Sequence, residues 1–79
     1  MPIDLSQDGE HIERHINGSI AARGQIKDGQ LDGYWEWYRA NGTKKRSGTF
    51  AMGKQVGEWI TYDDTGEVHK KTFFSSDHL

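Results

Sequence analysis

The chain has no cysteine and only one proline among its 79 residues. Without cysteine, neither a disulfide framework nor a thiolate zinc site can hold a small fold together. Apolar residues other than glycine make up only 33% of the chain, and its ten glycines bring no side chain to a core, so a thick two-layer core is not expected. No apolar run approaches the ~20 residues that a membrane-spanning helix needs. The first residues, Met1, Pro2, Ile3 and Asp4, lack the basic and apolar regions of a secretory leader. A net charge of −2 supplies no general attraction to nucleic acid or anionic lipid. These absences together describe one domain spanning 1–79, expected to be cytoplasmic.

What the chain does have is a period. Gly24, Gly29, Gly33, Trp35, Tyr38 and Gly42 return 24 residues later as Gly48, Gly53, Gly57, Trp59, Tyr62 and Gly66. A fixed spacing in the range of about 20–50 residues is the mark of a repeat architecture. Full repeats are read at 24–47 and 48–71, preceded by a degenerate half-repeat at 9–23 and followed by a closing strand at 72–74. In the half-repeat Gly9 and Gly18 keep the period, as do Asp8 and Asn17, but His11 replaces the tryptophan and Arg14 the tyrosine. At the other end Thr72 stands where the glycine would be. Such departures suit the end units of a solenoid. Residues 1–7 and 75–79 read as tails.

Each unit reads as two strands joined by turns. Trp35, Trp37 and Tyr38 favour strand, with no helical spacing of apolar residues. Asn41-Gly42 is a strong hairpin signal, because both residues tolerate positive φ. The result is an all-β, single-layer antiparallel meander of about six strands. Helix is arguable only at 4–16, where Gly9 and Asn17-Gly18 fit a strand better. The hairpin register has two solutions. A two-residue Asn41-Gly42 loop would set Trp35 opposite Gly48. A type I turn through Ala40-Asn41-Gly42 with a bulge would set Glu36 opposite Arg46 and Tyr62 opposite Val68. Asp64-Thr65-Gly66 suits the bulged form, which is expected for both hairpins. Gly42 and Gly66 then take left-handed positions, as do Gly29 and Gly53 between hairpins. Gly24, Gly33, Gly48 and Gly57 mark bulges or bare backbone under a tryptophan, with Trp35 and Trp59 as the covering rings.

The pattern Gly-x-Trp-x-x-Tyr-x-x-x-Gly, present at 33–42 and 57–66 and each time preceded by Gly-x-x-x-Gly, resembles the bacterial variant of the MORN repeat. The resemblance extends over roughly residues 9–74. It implies a ribbon of β-hairpins and a scaffold or binding role without catalysis. Some bacterial proteins with this repeat look like antitoxins or immunity partners, while classical MORN proteins are associated with membranes, phospholipids or protein assembly. The resemblance brings no site residue with it.

Catalytic and cofactor signatures do not emerge. Ser47, Ser75 and Ser76 lack a Gly-x-Ser-x-Gly setting, and no phosphate-binding or dinucleotide fingerprint occurs. His11, Glu13 and His15 would alternate onto one face of a strand and could in principle approach a metal, but the exposed polar face of a capping strand is the better account of them. No enzyme activity, metal or cofactor is therefore expected. Lys44-Lys45-Arg46 and His69-Lys70-Lys71 fall at equivalent repeat positions and would form a basic stripe beside Trp35, Trp37 and Trp59, suited to phosphate or single-stranded nucleic acid. Charged strand faces that keep a thin sheet soluble explain them as well. Tyr34, Trp37 and Phe73 do not recur, so the scaffold does not require them. With Arg46 and Lys70 they are the candidate partner contacts, because binding hot spots favour aromatic side chains and arginine. The expected function is a protein–protein interaction module, antitoxin- or immunity-type in its specific form. The alternatives are an anion-directed module for phospholipid headgroups or nucleic acid, and a homodimer joined through a sheet edge.

Overall fold

The computed structural model describes residues 8–75; of the tails expected at 1–7 and 75–79, all but Ser75 lies outside the described residues. Six strands form one open antiparallel sheet in sequential order: β1 (Gly9–Arg14), β2 (Ile20–Lys27), β3 (Gln30–Tyr38), β4 (Lys44–Ala51), β5 (Lys54–Tyr62) and β6 (Val68–Phe74). No helix occurs among the described residues, and the segment at 4–16 that could have been helical carries β1. The ribbon measures 39 × 31 × 15 Å, its thinnest dimension being that of one sheet with its side chains.

Two kinds of connection alternate. Asp28-Gly29 and Met52-Gly53 join β2 to β3 and β4 to β5 as two-residue loops in which both residues have positive φ, 52° and 75° in the first and 53° and 84° in the second. That is the type I′ hairpin, whose twist matches the strands. The longer loops join β1 to β2, β3 to β4 and β5 to β6. In each, a glycine amide (Gly18, Gly42, Gly66) donates to the carbonyl three residues back (His15, Arg39, Asp63), and the flanking residues close the ladder. This is a type I turn ending in a left-handed glycine.

The register beyond these loops corrects the sequence reading. The turn is the bulged one and Tyr62 faces Val68, as expected, but Glu36 faces Ser47 rather than Arg46. A second irregularity leaves Lys45 unpaired, so that Arg46 faces Trp37 and Trp35 faces Gly48. His69 and Ala21 are left over in the same way in the other two hairpins. All three hairpins are thus congruent, including the first, in which the sequence period is weakest.

Between hairpins the sheet makes a wider irregularity. Gln25 faces Asp32 and Arg23 faces Glu36, so Gly24 alone is set against Gly33, Tyr34 and Trp35. Gly33, at φ 72°, makes this excursion possible. It folds the Trp35 ring over Gly24, where the indole N–H reaches the carbonyls of Gln25 (3.0 Å) and Asp32 (3.2 Å). Trp59 lies over Gly48 in the same way and donates to Thr49 O at 3.1 Å. Trp35 is fully buried and packs with Ala22 and Ile26, with Leu31, Trp37 and Phe50 around them. One curved face of a single sheet therefore buries its own aromatics.

Candidate functional site

That aromatic face consists of three rows of side chains running across the strands. The first contains Ile26, Phe50 and Phe74, apolar in every repeat. The second alternates His11, Gly24, Trp35, Gly48, Trp59 and Thr72. The third, nearest the longer loops, is an unbroken set of cross-strand neighbours: Glu13, Ala22, Trp37, Arg46, Thr61 and Lys70. The second row departs from its alternation only at its ends, His11 and Thr72, whereas in this third row the chemical type changes in every repeat. Glu13, Trp37 and Thr61 share one position; Ala22, Arg46 and Lys70 share the other.

Trp37 stands at the centre of the row. Its ring is 5.9 Å from that of Trp35, stacked, and 5.6 Å from that of Trp59, so it bridges two repeats. The Arg46 guanidinium lies over Trp37 at 4.8 Å and over Trp59 at 5.4 Å. Held by the two rings, this cation pays part of its ordering cost in advance and keeps its N–H donors free for an acceptor. No carboxylate pairs with Arg46 or Lys70 among the described residues. On the other side of Trp37 an open groove of about 620 Å³ is lined by Glu13, His15, Ile16, Ala22 and the indole itself. Ala22 is the small residue that leaves this space. The row thus offers an acidic end, an aromatic ridge beside an apolar groove, and a basic end.

The five candidate contacts divide between the two faces. Trp37, Arg46 and Lys70 share the row just described. Tyr34 and Phe73, 54% and 75% exposed, belong to the opposite face, opposite Thr49 and Glu58 respectively. The basic stripe divides as well. Lys44 is on the opposite face, 2.8 Å from Glu36, and Lys71 extends the row of Glu36, Ser47 and Ile60 on that same side. Arg46 and Lys70 stay on the tryptophan face, and the unpaired Lys45 joins Trp37, Arg46 and Thr61 around a small pocket there.

Sequence reasoning did not single out Glu36, the hub of the opposite face. Its carboxylate accepts from Tyr38 Oη (2.6 Å), Tyr34 Oη (3.1 Å) and Lys44 Nζ. Burial raises the Glu36 pKa, but the bonds from Lys44, Tyr38 and Tyr34 outweigh it and leave the group below its ordinary value. The same bond raises the Lys44 pKa against the opposing effect of burial, while burial and then the Glu36 bond raise that of Tyr38. Nearby, Lys44 lies over the Tyr62 ring and the Tyr62 hydroxyl bonds to buried Ser47. The recurrence of Tyr38 and Tyr62 was the available signal that this face is organised.

His11, Glu13 and His15 do not converge. His11 Nε2 is 3.4 Å from Glu13 Oε2, but His15 lies beyond β1 and donates through Nε2 to Tyr38 O at 2.8 Å. No group of three or more potential metal ligands occurs among the described residues. Arg14, the other cap residue, bonds to Gly18 O within its own loop. No described helix is long and apolar enough to cross a membrane. Comparison of the chain with family models, with curated proteins and with solved structures yields no match.

Proposed function

We propose that the chain is a non-catalytic protein-interaction module built on MORN-like repeats, and that its partner docks across the row from Glu13 to Lys70. The observation that carries this reading is the variation of a row in which exposed Arg46 and Lys70 lie to one side of a half-buried Trp37. The first row is apolar throughout and the second keeps its tryptophan-over-glycine packing except at its ends, whereas the third varies in every repeat and presents Trp37 with a pre-oriented Arg46. A partner segment would place an apolar side chain in the groove beside Trp37 and a carboxylate on Arg46. An antitoxin- or immunity-type role is the specific form of this reading, and it rests on the resemblance of the motifs at 33–42 and 57–66.

The test is affinity capture of a partner from the native cells, compared across variants. Trp37→Ala and Arg46→Glu should abolish capture, while Tyr34→Ala and Phe73→Ala on the opposite face should retain it. Equal capture by all four would remove the docking row from consideration.

The second reading, an anion-directed module for phospholipid headgroups or nucleic acid, is favoured by one feature: Arg46 and Lys70 share a row without acidic partners among the described residues. It predicts binding to anionic liposomes or oligonucleotides at low salt that is lost at high salt and in Arg46→Glu. Absence of binding at low salt eliminates it.

A further inference from the structure

We propose that the two free edges of the ribbon join copies head to tail: β6 of one copy pairs antiparallel with β1 of a second, in the register that β4 uses for β5. The occupant of the β6 edge is thus a second copy of this chain.

The first support is congruence. The three hairpins share their loops, their unpaired residue and their strand alternation, so β1 presents outward the backbone shape that β3 and β5 present to the strand before them. The start of β1 repeats the start of β3, Asp8 Oδ1 accepting the Asp28 amide as Asp32 Oδ1 accepts that of Met52. Gly33 and Gly57 open the wide irregularity toward the preceding strand with φ of 72° and 70°. Gly9 holds the matching place in β1 and is also left-handed, at φ 108°, yet no described strand precedes it. A strand supplied by another copy gives that conformation a partner.

The second support is charge. Advancing the β4–β5 register by one repeat sets Lys70 directly opposite Glu13 of the second copy and Lys71 opposite Ile12. The β1 edge carries Glu10 and Glu13 together with His11 and Arg14; the β6 edge carries His69, Lys70 and Lys71 and no carboxylate. Cross-strand pairs of opposite charge are favourable, whereas pairing the β6 edge with its own copy would bring like charges together.

The third support is a matched pair of departures from the repeat. Within the chain each hairpin docks by laying a tryptophan over a glycine: Trp35 over Gly24 and Trp59 over Gly48. At the proposed junction the lower residue is Thr72 and the upper is His11. The lower side chain is larger than in the repeat, and the upper one is smaller. An indole in place of His11 would meet the Thr72 side chain, so the junction admits this edge and excludes a tryptophan-bearing one. The join also continues the docking row, from Thr61 and Lys70 into Glu13 and Ala22 of the next copy.

Light scattering over a concentration series at low salt tests the proposal. Because a head-to-tail join leaves one edge free at each end, the mass should climb past that of two chains as concentration rises. Glu13→Lys and Lys70→Glu should each weaken association about tenfold, and the double exchange should restore it. His11→Trp should abolish association while the strand signal in circular dichroism is unchanged. A mass that stays at one chain, a mass that stops at two, or a double exchange that fails to restore association overturns it.

Discussion

The Trp35 ring lies over the backbone of Gly24 so closely that a methyl group on that glycine would overlap Cγ, Cδ2 and Cε2 of the indole. Trp59 stands in the same relation to Gly48, so one contact docks each hairpin onto the preceding one. Gly24→Ala and Gly48→Ala should each destabilise the fold by about 1–3 kcal/mol, the cost of overpacking, as read from urea unfolding. The two costs should match, since the two sites are congruent. A smaller loss than in Gly42→Ala, where only the left-handed loop conformation (φ 93°) is at stake, would contradict this packing account.

Glu36 should make stability pH-dependent at both extremes. Its pKa is lower in the folded state, so its contribution is present above the ordinary glutamate pKa of about 4.3 and is lost as pH falls through the lower folded value. Lys44 is shifted upward, so its contribution holds below the ordinary lysine pKa of about 10.4 and disappears as pH rises through the higher folded value. Melting temperature measured against pH should show both limbs flattened in Glu36→Gln. Part of the acid limb should survive, because the Thr65 hydroxyl and the Glu67 amide also hold the Asp63 pKa down. An unchanged profile would remove Glu36 as the cause.

Arg39 should act as a clasp between the second and third hairpins. Its guanidinium donates to Tyr62 O and Asp63 O, both at 3.0 Å, and to Lys44 O at 3.2 Å. Arg39→Ala should cost about 1–2 kcal/mol and speed hydrogen exchange in the 63–67 loop while leaving the 15–19 loop unchanged. Arg39→Lys should recover only part of this, since a lysine cannot span both carbonyls as a fork. Uniform acceleration in both loops would mean that the clasp is not local.

Trp37 has two roles that the row geometry makes separable. Its contacts with Trp35 and Trp59 predict a loss of about 1–3 kcal/mol in Trp37→Ala, less than the cost of removing a fully buried ring. Arg46→Ala should lose only about 0.5–1 kcal/mol, the worth of an exposed cation resting on a ring. Chemical denaturation separates these outcomes. Equal losses would show that Trp37 adds nothing to the bridge beyond its cation.

The meander and its strands were legible because glycine and aromatic residues carry the repeat, and each has a steric reason for its place. Even the first hairpin was readable from Asn17 and Gly18: Asn17 Oδ1 accepts the Ser19 amide and hydroxyl exactly where Asn41 accepts those of Thr43. The register was not legible, because it depends on Lys45, Ala21 and His69 being left unpaired, and three such different side chains share no sequence signal. That one unread residue per hairpin also decides which face each later side chain occupies. For this reason Arg46 was expected opposite Glu36 and the basic stripe was expected whole; Tyr34, by contrast, was grouped with Trp37 although the alternation of β3 itself puts two residues three apart on opposite faces.

Apart from marginal contacts, each strand meets only the strand before it and the strand after it. Folding can therefore start in any hairpin and spread to its neighbour without first closing a long loop, which favours fast assembly. The same linearity grades the resistance to opening along the ribbon. The outermost hairpins, each supported from one side, release first, and β3 and β4 retain their amide protons longest.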